Sequence, residues 1–196
     1  MKERIVIGDI TALSTAFRDV VHRNGIPHYC VHLICYSGNA VFLQRRSHTR
    51  RRNAGLWTSV SGHINERDAT RGVRLVLDTN VALTTLVHET QEELGALVRS
   101  HQQPHFCGEV VATSRGGGET CICRTFVFSQ SVESLPTVMT PEVAEIAEFE
   151  IDRVVAALQT DGGLVGADMQ RHGFADNFRP VFERFATAVL AVRPGA

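Results

Sequence analysis

The chain has little of what would place it outside the ordinary soluble proteins. No segment approaches the roughly 20 consecutive apolar residues of a membrane span, and the apolar stretch nearest the start, Ile5-Val6-Ile7, is broken at once by Gly8 and Asp9. A secretory leader and a membrane partner are therefore not expected. Charge of one sign is also lacking: 20 Lys and Arg face 21 Asp and Glu, for a formal net charge of -1. A surface for a nucleic-acid duplex needs a clear basic excess, so an anionic ligand here must be met by a local cluster. There are 5 cysteines and no Cys-x-x-Cys pair. An odd, unpaired set fits free thiols in a reducing compartment, with the cytoplasm as the expected location. Cys121 and Cys123 stand two apart and share one strand face, which reads as core packing. No Gly-x-Ser-x-Gly elbow is present, and Gly116-Gly117-Gly118 is not followed by the Gly-Lys-Ser/Thr of a phosphate loop.

What is present, 43% apolar residues over 196 positions, suits one domain with a real core. Residues 12–23 carry a weak helical pattern in Leu13, Phe17, Val20 and Val21, ended by Asn24-Gly25-Ile26-Pro27. Tyr29–Tyr36 and Val41–Gln44 read as strands around a turn at Ser37-Gly38-Asn39, and Leu56–Ser61 as another after a basic loop. From Val81 to Leu97 the apolar positions predict an amphipathic helix with Asp78 or Asn80 as its cap. Phe106–Thr113, Cys121–Phe128 and Ile146–Ile151 look like strands, and residues 153–158 and 180–192 like helices. The order lacks regular β-α-β alternation, which favours an α/β fold with a mixed sheet and helices on its faces.

Glu89, Glu92 and Glu93 lie at i, i+3 and i+4 on the expected helix, one face and about one turn apart. Like charges this close repel unless a cation sits among them. Hard oxygen donors suit Mg²⁺, or Mn²⁺, and through it a phosphate substrate. A solvated acidic face is the other reading that spacing allows.

The flanking residues resemble the Nudix hydrolase family. Gly62 matches the glycine that opens the family's box, and His88-Glu89-Thr90-Gln91-Glu92-Glu93-Leu94-Gly95-Ala96 matches its closing half. The resemblance implies an α/β/α sandwich with this helix against the sheet. It also implies Mg²⁺ ligation by Glu89, Glu92 and Glu93, and hydrolysis of a diphosphate linkage in a small molecule such as a nucleoside diphosphate derivative. Three departures stand out. His88 replaces an arginine that steadies the glutamates, and Asp68 replaces the first glutamate. About a dozen extra residues near 69–80 separate the halves, tolerable in a loop because closure entropy grows slowly with length.

Upstream, Gln44-Arg45-Arg46 through Arg50-Arg51-Arg52 and Gly55-Leu56-Trp57 resemble the Nudix branch containing isopentenyl-diphosphate isomerases. In that alignment Arg46 and Arg50 take diphosphate-contacting positions, chemistry that guanidinium forks suit. The resemblance further implies a second metal site, with His63, His22 and His28 as ligands and Glu119 as its acid. Against an isomerase, Ser61 stands where those enzymes carry a cysteine. Glu142 resembles a late glutamate found before a strand and is a candidate base, although an acid at a helix start after Pro141 is equally well explained. Trp57 offers a ring for stacking on a substrate, or for the core. A homodimer is plausible but has no signal of its own in the sequence.

Overall fold

The structure, a computed structural model, describes residues 3–94, 103–116, 119–133 and 140–191. In chain order it runs β1 (Arg4–Asp9), β2 (Ala12–Phe17), α1 (Arg18–Arg23), β3 (His28–Ser37), β4 (Ala40–Arg46), β5 (Trp57–Thr58), β6 (Val60–His63) and α2 (Glu66–Ala69). Then come β7 (Thr70–Arg71), β8 (Arg74–Leu75), α3 (Thr79–Leu94), β9 (His105–Gly116), β10 (Glu119–Ser131) and β11 (Val143–Glu150). The chain continues through α4 (Ile151–Gln159), β12 (Leu164–Val165), β13 (Arg171–His172) and α5 (Phe178–Leu190).

β3 organises the sheet. It pairs antiparallel with β4, β6 and β1, and parallel with β10 over the whole run from Cys123↔His28 to Ser131↔Tyr36. The sheet is therefore mixed, as the irregular element order implies. Strand alternation sends Tyr29, Val31, Leu33 and Cys35 to one face, where they pack with Val81, Leu86 and Leu94 of α3. Ile34 points to the other face and joins Val154 of α4 and Phe178, Phe182 and Phe185 of α5. Helices on both faces make an α/β/α sandwich. No helix among the described residues is long and apolar enough to cross a membrane.

α3 starts where the cap signal put it: Asp78 Oδ1 accepts from the Val81 amide at 2.9 Å. Its buried stripe is Val81, Ala82, Thr85, Leu86, Thr90, Glu93 and Leu94. Val87, expected inward, is 48% exposed. The stretch 12–23 is a correction. Its first half is β2, paired antiparallel to β1 from Arg4↔Phe17 to Asp9↔Ala12, and only Arg18–Arg23 is helical. A weak helical period loses to the ladder bonds of a neighbouring strand, a contest decided by tertiary context. Other boundaries move for similar reasons. β4 runs on to Arg46 because β5 and β11 pair beside it. The expected strand Leu56–Ser61 splits, β5 pairing β4 and β6 pairing β3. Part of the insertion folds as the small β7–β8 hairpin, directly after α2. Gly95, Ala96 and Leu97 lie outside the described residues.

Candidate active site

The last turns of α3, the end of β6, α1 and the loop after β4 wall a cleft of about 520 Å³, a size that suits a small-molecule ligand. Glu89, Glu92, Glu93, Arg46, Arg50, Gly62, Glu142, His22 and His63 all line it. The three carboxylates are not equivalent. Glu93 belongs to the buried stripe and is only 3% exposed, Glu89 is half-buried and Glu92 is exposed at the mouth. Glu93 Oε2 accepts from Gln44 Nε2 at 2.6 Å and from the Ser61 amide at 3.0 Å. Arg46 Nη1 stands 3.8 Å from Glu93 Oε1. Gln44 carries no motif signal of its own, yet it sits on β4 in register with Thr58 and reaches across to fix the acid.

Burial pushes the Glu93 carboxyl up to about 7, against the pull of Gln44, Ser61 and Arg46. Glu89 goes further, to about 9, first through burial and then through the charges of Glu93 and Glu92. Two acids held this far above the ordinary range form a centre short of positive charge. Glu89 is seated by a missing side chain. A Cβ on Gly62 would fall 1.8 Å from Glu89 Cδ, so only glycine lets that carboxyl lie against β6.

The two departures within the box meet each other. His88 Nδ1 lies 3.0 Å from Asp68 Oδ1, and Asp68 is 1% exposed. Arg67 Nε donates to the same oxygen at 3.2 Å, while Asp68 Oδ2 is buried with no hydrogen-bond partner among the described residues. The pair ties α2 to α3 across the insertion. Removing the ring in His88→Ala strands much of a buried charge. With His88 itself well exposed and Arg67 still in place, the expected loss is about 1–2 kcal/mol, read as a lower denaturation midpoint. His88→Arg should be tolerated or stabilising, because a guanidinium fork can serve both Asp68 oxygens.

Arg50 Nη1 donates to Glu142 Oε1 at 2.5 Å, so the expected phosphate contact and the expected base face each other across the cleft. Trp57 is a correction. It is fully buried, edge-on to Phe149, with Nε1 donating to the Leu164 carbonyl at 3.2 Å, and so it packs the core rather than a ligand. The side chain of Glu119 lies outside the described residues. His32, which no motif singled out, lines the cleft with Nδ1 2.8 Å from Ser59 Oγ. Burial, reinforced by Arg46, lowers it to about 3, so it is neutral. The segment after β13 contributes Ala175 and Asn177 to the wall.

Behind the carboxylates, His22, His28 and His63 do come together. Their ring centroids are 5.0, 5.0 and 5.1 Å apart, with His22 Nε2 and His63 Nε2 at 3.1 Å. Cys30, Cys121 and Cys123 pack beside them as a small buried cluster, in line with the core packing expected for the last two in preference to metal binding. Burial, then the charge of His28, lowers His22 to about 3, and burial likewise holds His63 well below its usual value. At His28 desolvation pulls the same way but loses to hydrogen bonds with Cys121 and Cys123, and the value rises to about 10.

No family model and no curated protein matches this chain. Solved structures do. A MutT protein from Methanosarcina mazei aligns over 82% of this chain and 94% of its own, at 18% identity and a TM-score of 0.53. A Nudix hydrolase from Alicyclobacillus acidocaldarius covers 82% and 90% at 14% identity and 0.55. The Nudix domain of Shewanella oneidensis NrtR, solved with ADP ribose, covers 82% and 87% at 12% identity and 0.52. The chain has the Nudix fold. At such identities the likeness extends to the fold alone. Within that fold, the helix that carries Glu89, Glu92 and Glu93 packs on the α3 face of the sheet, as the box resemblance implies.

Proposed function

We propose that the chain is a divalent-metal-dependent pyrophosphohydrolase acting on a small molecule with a diphosphate linkage. One observation carries this reading: two carboxylates one turn apart on α3, Glu89 and Glu93, line one cleft with Arg46 against Glu93, both pushed upward by burial and Glu89 also by the charge of Glu93. A clustered all-oxygen donor set fits Mg²⁺ or Mn²⁺, with Glu89, Glu92 and Glu93 as the holders. Such an ion supplies charge neutralisation at the diphosphate oxygens.

The chain's own groups do the rest. Arg46 and Arg50 bind the diphosphate, Arg50 turning from Glu142 to phosphate oxygens. Glu142, freed from that pair, accepts the proton of the attacking water at Oε1 while one phosphate leaves. Gln44 and the Ser61 amide keep Glu93 oriented. The test is phosphate release from nucleotide sugars, dinucleotides, nucleoside triphosphates and prenyl diphosphates with Mg²⁺. Turnover of a diphosphate ester is expected; binding without turnover across the panel would indicate a ligand-sensing domain instead.

The gathered histidines favour a second reading, an enzyme like the isopentenyl-diphosphate isomerases. Ser61 opposes it, because a hydroxyl does not replace the thiol that isomerisation requires. An allylic product formed without phosphate release would decide for it.

Metal dependence should follow pH with a defined sign. A carboxyl raised to about 9 favours the protonated folded state, so stability is full below the ordinary carboxylate range and is lost as pH climbs toward that value. Metal-free protein is therefore expected to melt at lower temperature near pH 9 than near pH 5, and Mg²⁺ to recover the difference. The Mg²⁺ concentration for half-maximal activity should fall as pH rises, since binding displaces the Glu89 proton. A pH-independent requirement would remove Glu89 from the ligand set.

A further inference from the structure

We propose that Cys30 and Cys123 are a modification site: a thiol pair in the cleft wall that hydrogen peroxide converts to a disulfide joining β3 to β10. This goes beyond the hydrolase reading and does not depend on it.

The first observation is the geometry of the pair. Both are free thiols, and their Sγ atoms lie 2.6 Å apart. A formed disulfide measures about 2.05 Å, so closure takes a shift of roughly half an ångström. The strands set this up. β3 and β10 run parallel with Cys123 beside His28 and Thr125 beside Cys30, which makes the two cysteines diagonal neighbours. No other sulfur contact in the cluster is as short, Cys121 Sγ standing 3.1 Å from Cys123 Sγ. Cys121 and Cys123 are also two residues apart on one extended strand, which holds them near the upper limit of a disulfide's Cα span, about 6.8 Å. Cys35 and Cys107 belong to the two apolar cores, away from this cluster.

The second observation is access. Cys30, Cys121 and Cys123 all line the cleft of about 520 Å³, yet the most open of them, Cys121, is only 7% exposed. An oxidant little larger than water enters such a space. A protein disulfide does not, because exchange requires direct approach to the attacking sulfur. The resting protein is therefore a set of thiols, as a reducing compartment maintains, and a small peroxide is the oxidant that reaches them.

The third observation is a place for the proton. His28 Nδ1 donates to the Ile26 carbonyl at 2.8 Å, and Nε2 faces Cys121 and Cys123 at 3.3 and 3.4 Å. Cys123, within reach of that nitrogen, is the sulfur that attacks; Cys30, whose thiol burial pushes up, is the one that resolves. The Cys123 proton passes to His28 Nε2, the sulfur attacks one peroxide oxygen, and the O–O bond breaks. The departing oxygen takes the proton and leaves as water, with a sulfenic acid on Cys123. Cys30 Sγ then attacks that sulfur: the S–S bond forms, the S–O bond breaks, and the second oxygen leaves as water with the Cys30 proton. Two thiols give up two electrons and one peroxide becomes two waters. At Cys123 the hydrogen bond from Cys121 pulls down, but the bond from Cys30 and burial outweigh it, to about 11. The attack is accordingly slow and needs sustained peroxide.

The experiment is peroxide treatment of the reduced full-length protein, followed by intact mass and thiol titration in denaturant. The expected product has lost two hydrogens, leaves only Cys35, Cys107 and Cys121 to titrate, and returns to the starting mass with dithiothreitol. A non-reducing digest should join the peptide of Cys30 to that of Cys123, a readout that needs no variant. Cys121→Ser should keep the link and Cys123→Ser should lose it. The oxidised protein should melt higher by on the order of 10 °C, since the bond closes a long loop of chain. Glu93→Gln should form the link as readily, so failure of the hydrolase reading would leave this result untouched. A full set of titratable thiols after a dose that oxidises free cysteine, a link to any other cysteine, a link between chains, or sulfinic acid in place of a link would each overturn the proposal.

Discussion

Glu93→Gln is expected to lower turnover by about 10²–10³-fold, the cost of removing one preorganised charge from a reacting centre, while making the metal-free protein more stable. The two effects have one cause. The Glu93 carboxylate is 3% exposed and carries a burial cost that lifts it to about 7. A raised carboxyl contributes its stability in the protonated state and loses it as pH passes through that value, so the charged form is the costly one above it. A glutamine never ionises, and the variant's advantage in melting temperature should therefore widen from pH 6 to pH 9. Local bonding survives the change. An amide oxygen standing in the place of Oε2 still accepts from Ser61 N and from Gln44 Nε2. Thermal melts at several pH values and phosphate release on the same preparation would test both. Unchanged turnover in both Glu93→Gln and Glu92→Gln would place the metal elsewhere; a destabilised Glu93→Gln would mean that the acid is structural.

This combination of lost activity and gained stability is the usual mark of a group kept for chemistry rather than for the fold. It also explains what could be read from the residues alone. α3 was legible because its cap, its apolar stripe and its acidic spacing all point to one helix, and the structure starts it at Thr79 with Asp78 as cap. β3 and β4 were legible from composition and the glycine turn between them. The β1–β2 hairpin was not, since Leu13, Phe17 and Val20 satisfy a helical period that only a partner strand can overrule. The same limit governs the site. Glu89 and Glu93 announce themselves by spacing along one element. Gln44, His32 and the thiols become informative only when β3, β4 and β10 are set side by side, with Cys123 in register with His28. Strand neighbours are far apart in sequence, so a donor cluster built across a sheet leaves no local period to detect. Trp57 is the opposite case: an aromatic near a basic loop allows a stacking surface as well as a core residue, and its Nε1 bond to Leu164 inside the core decides for the second.

Gly62→Ala is expected to abolish metal-dependent turnover with only a small loss of stability. The added methyl would sit 1.8 Å from Glu89 Cδ and 2.0 Å from Oε1, contacts no packed structure holds. Overpacking inside a rigid core commonly costs about 1–3 kcal/mol, but the obstacle here is the far end of a flexible side chain beside a cleft. The cheapest relief is for the Glu89 carboxyl to swing toward solvent. That movement releases the burial and the repulsion from Glu93 and Glu92 that hold it at about 9, which offsets much of the strain. It also takes a ligand out of the set. Two consequences separate this account from general misfolding. The Mg²⁺ requirement should lose most of its steepness with pH, because the displaced carboxyl titrates in its ordinary range. The methyl should also add nothing in a Glu89→Ala background, where there is no carboxyl left to displace. A double-mutant cycle in kcat and in denaturation midpoint measures that coupling directly. If Gly62→Ala and Glu89→Ala act additively, the glycine is required by the β6 backbone itself, and the seating of Glu89 is not what it provides.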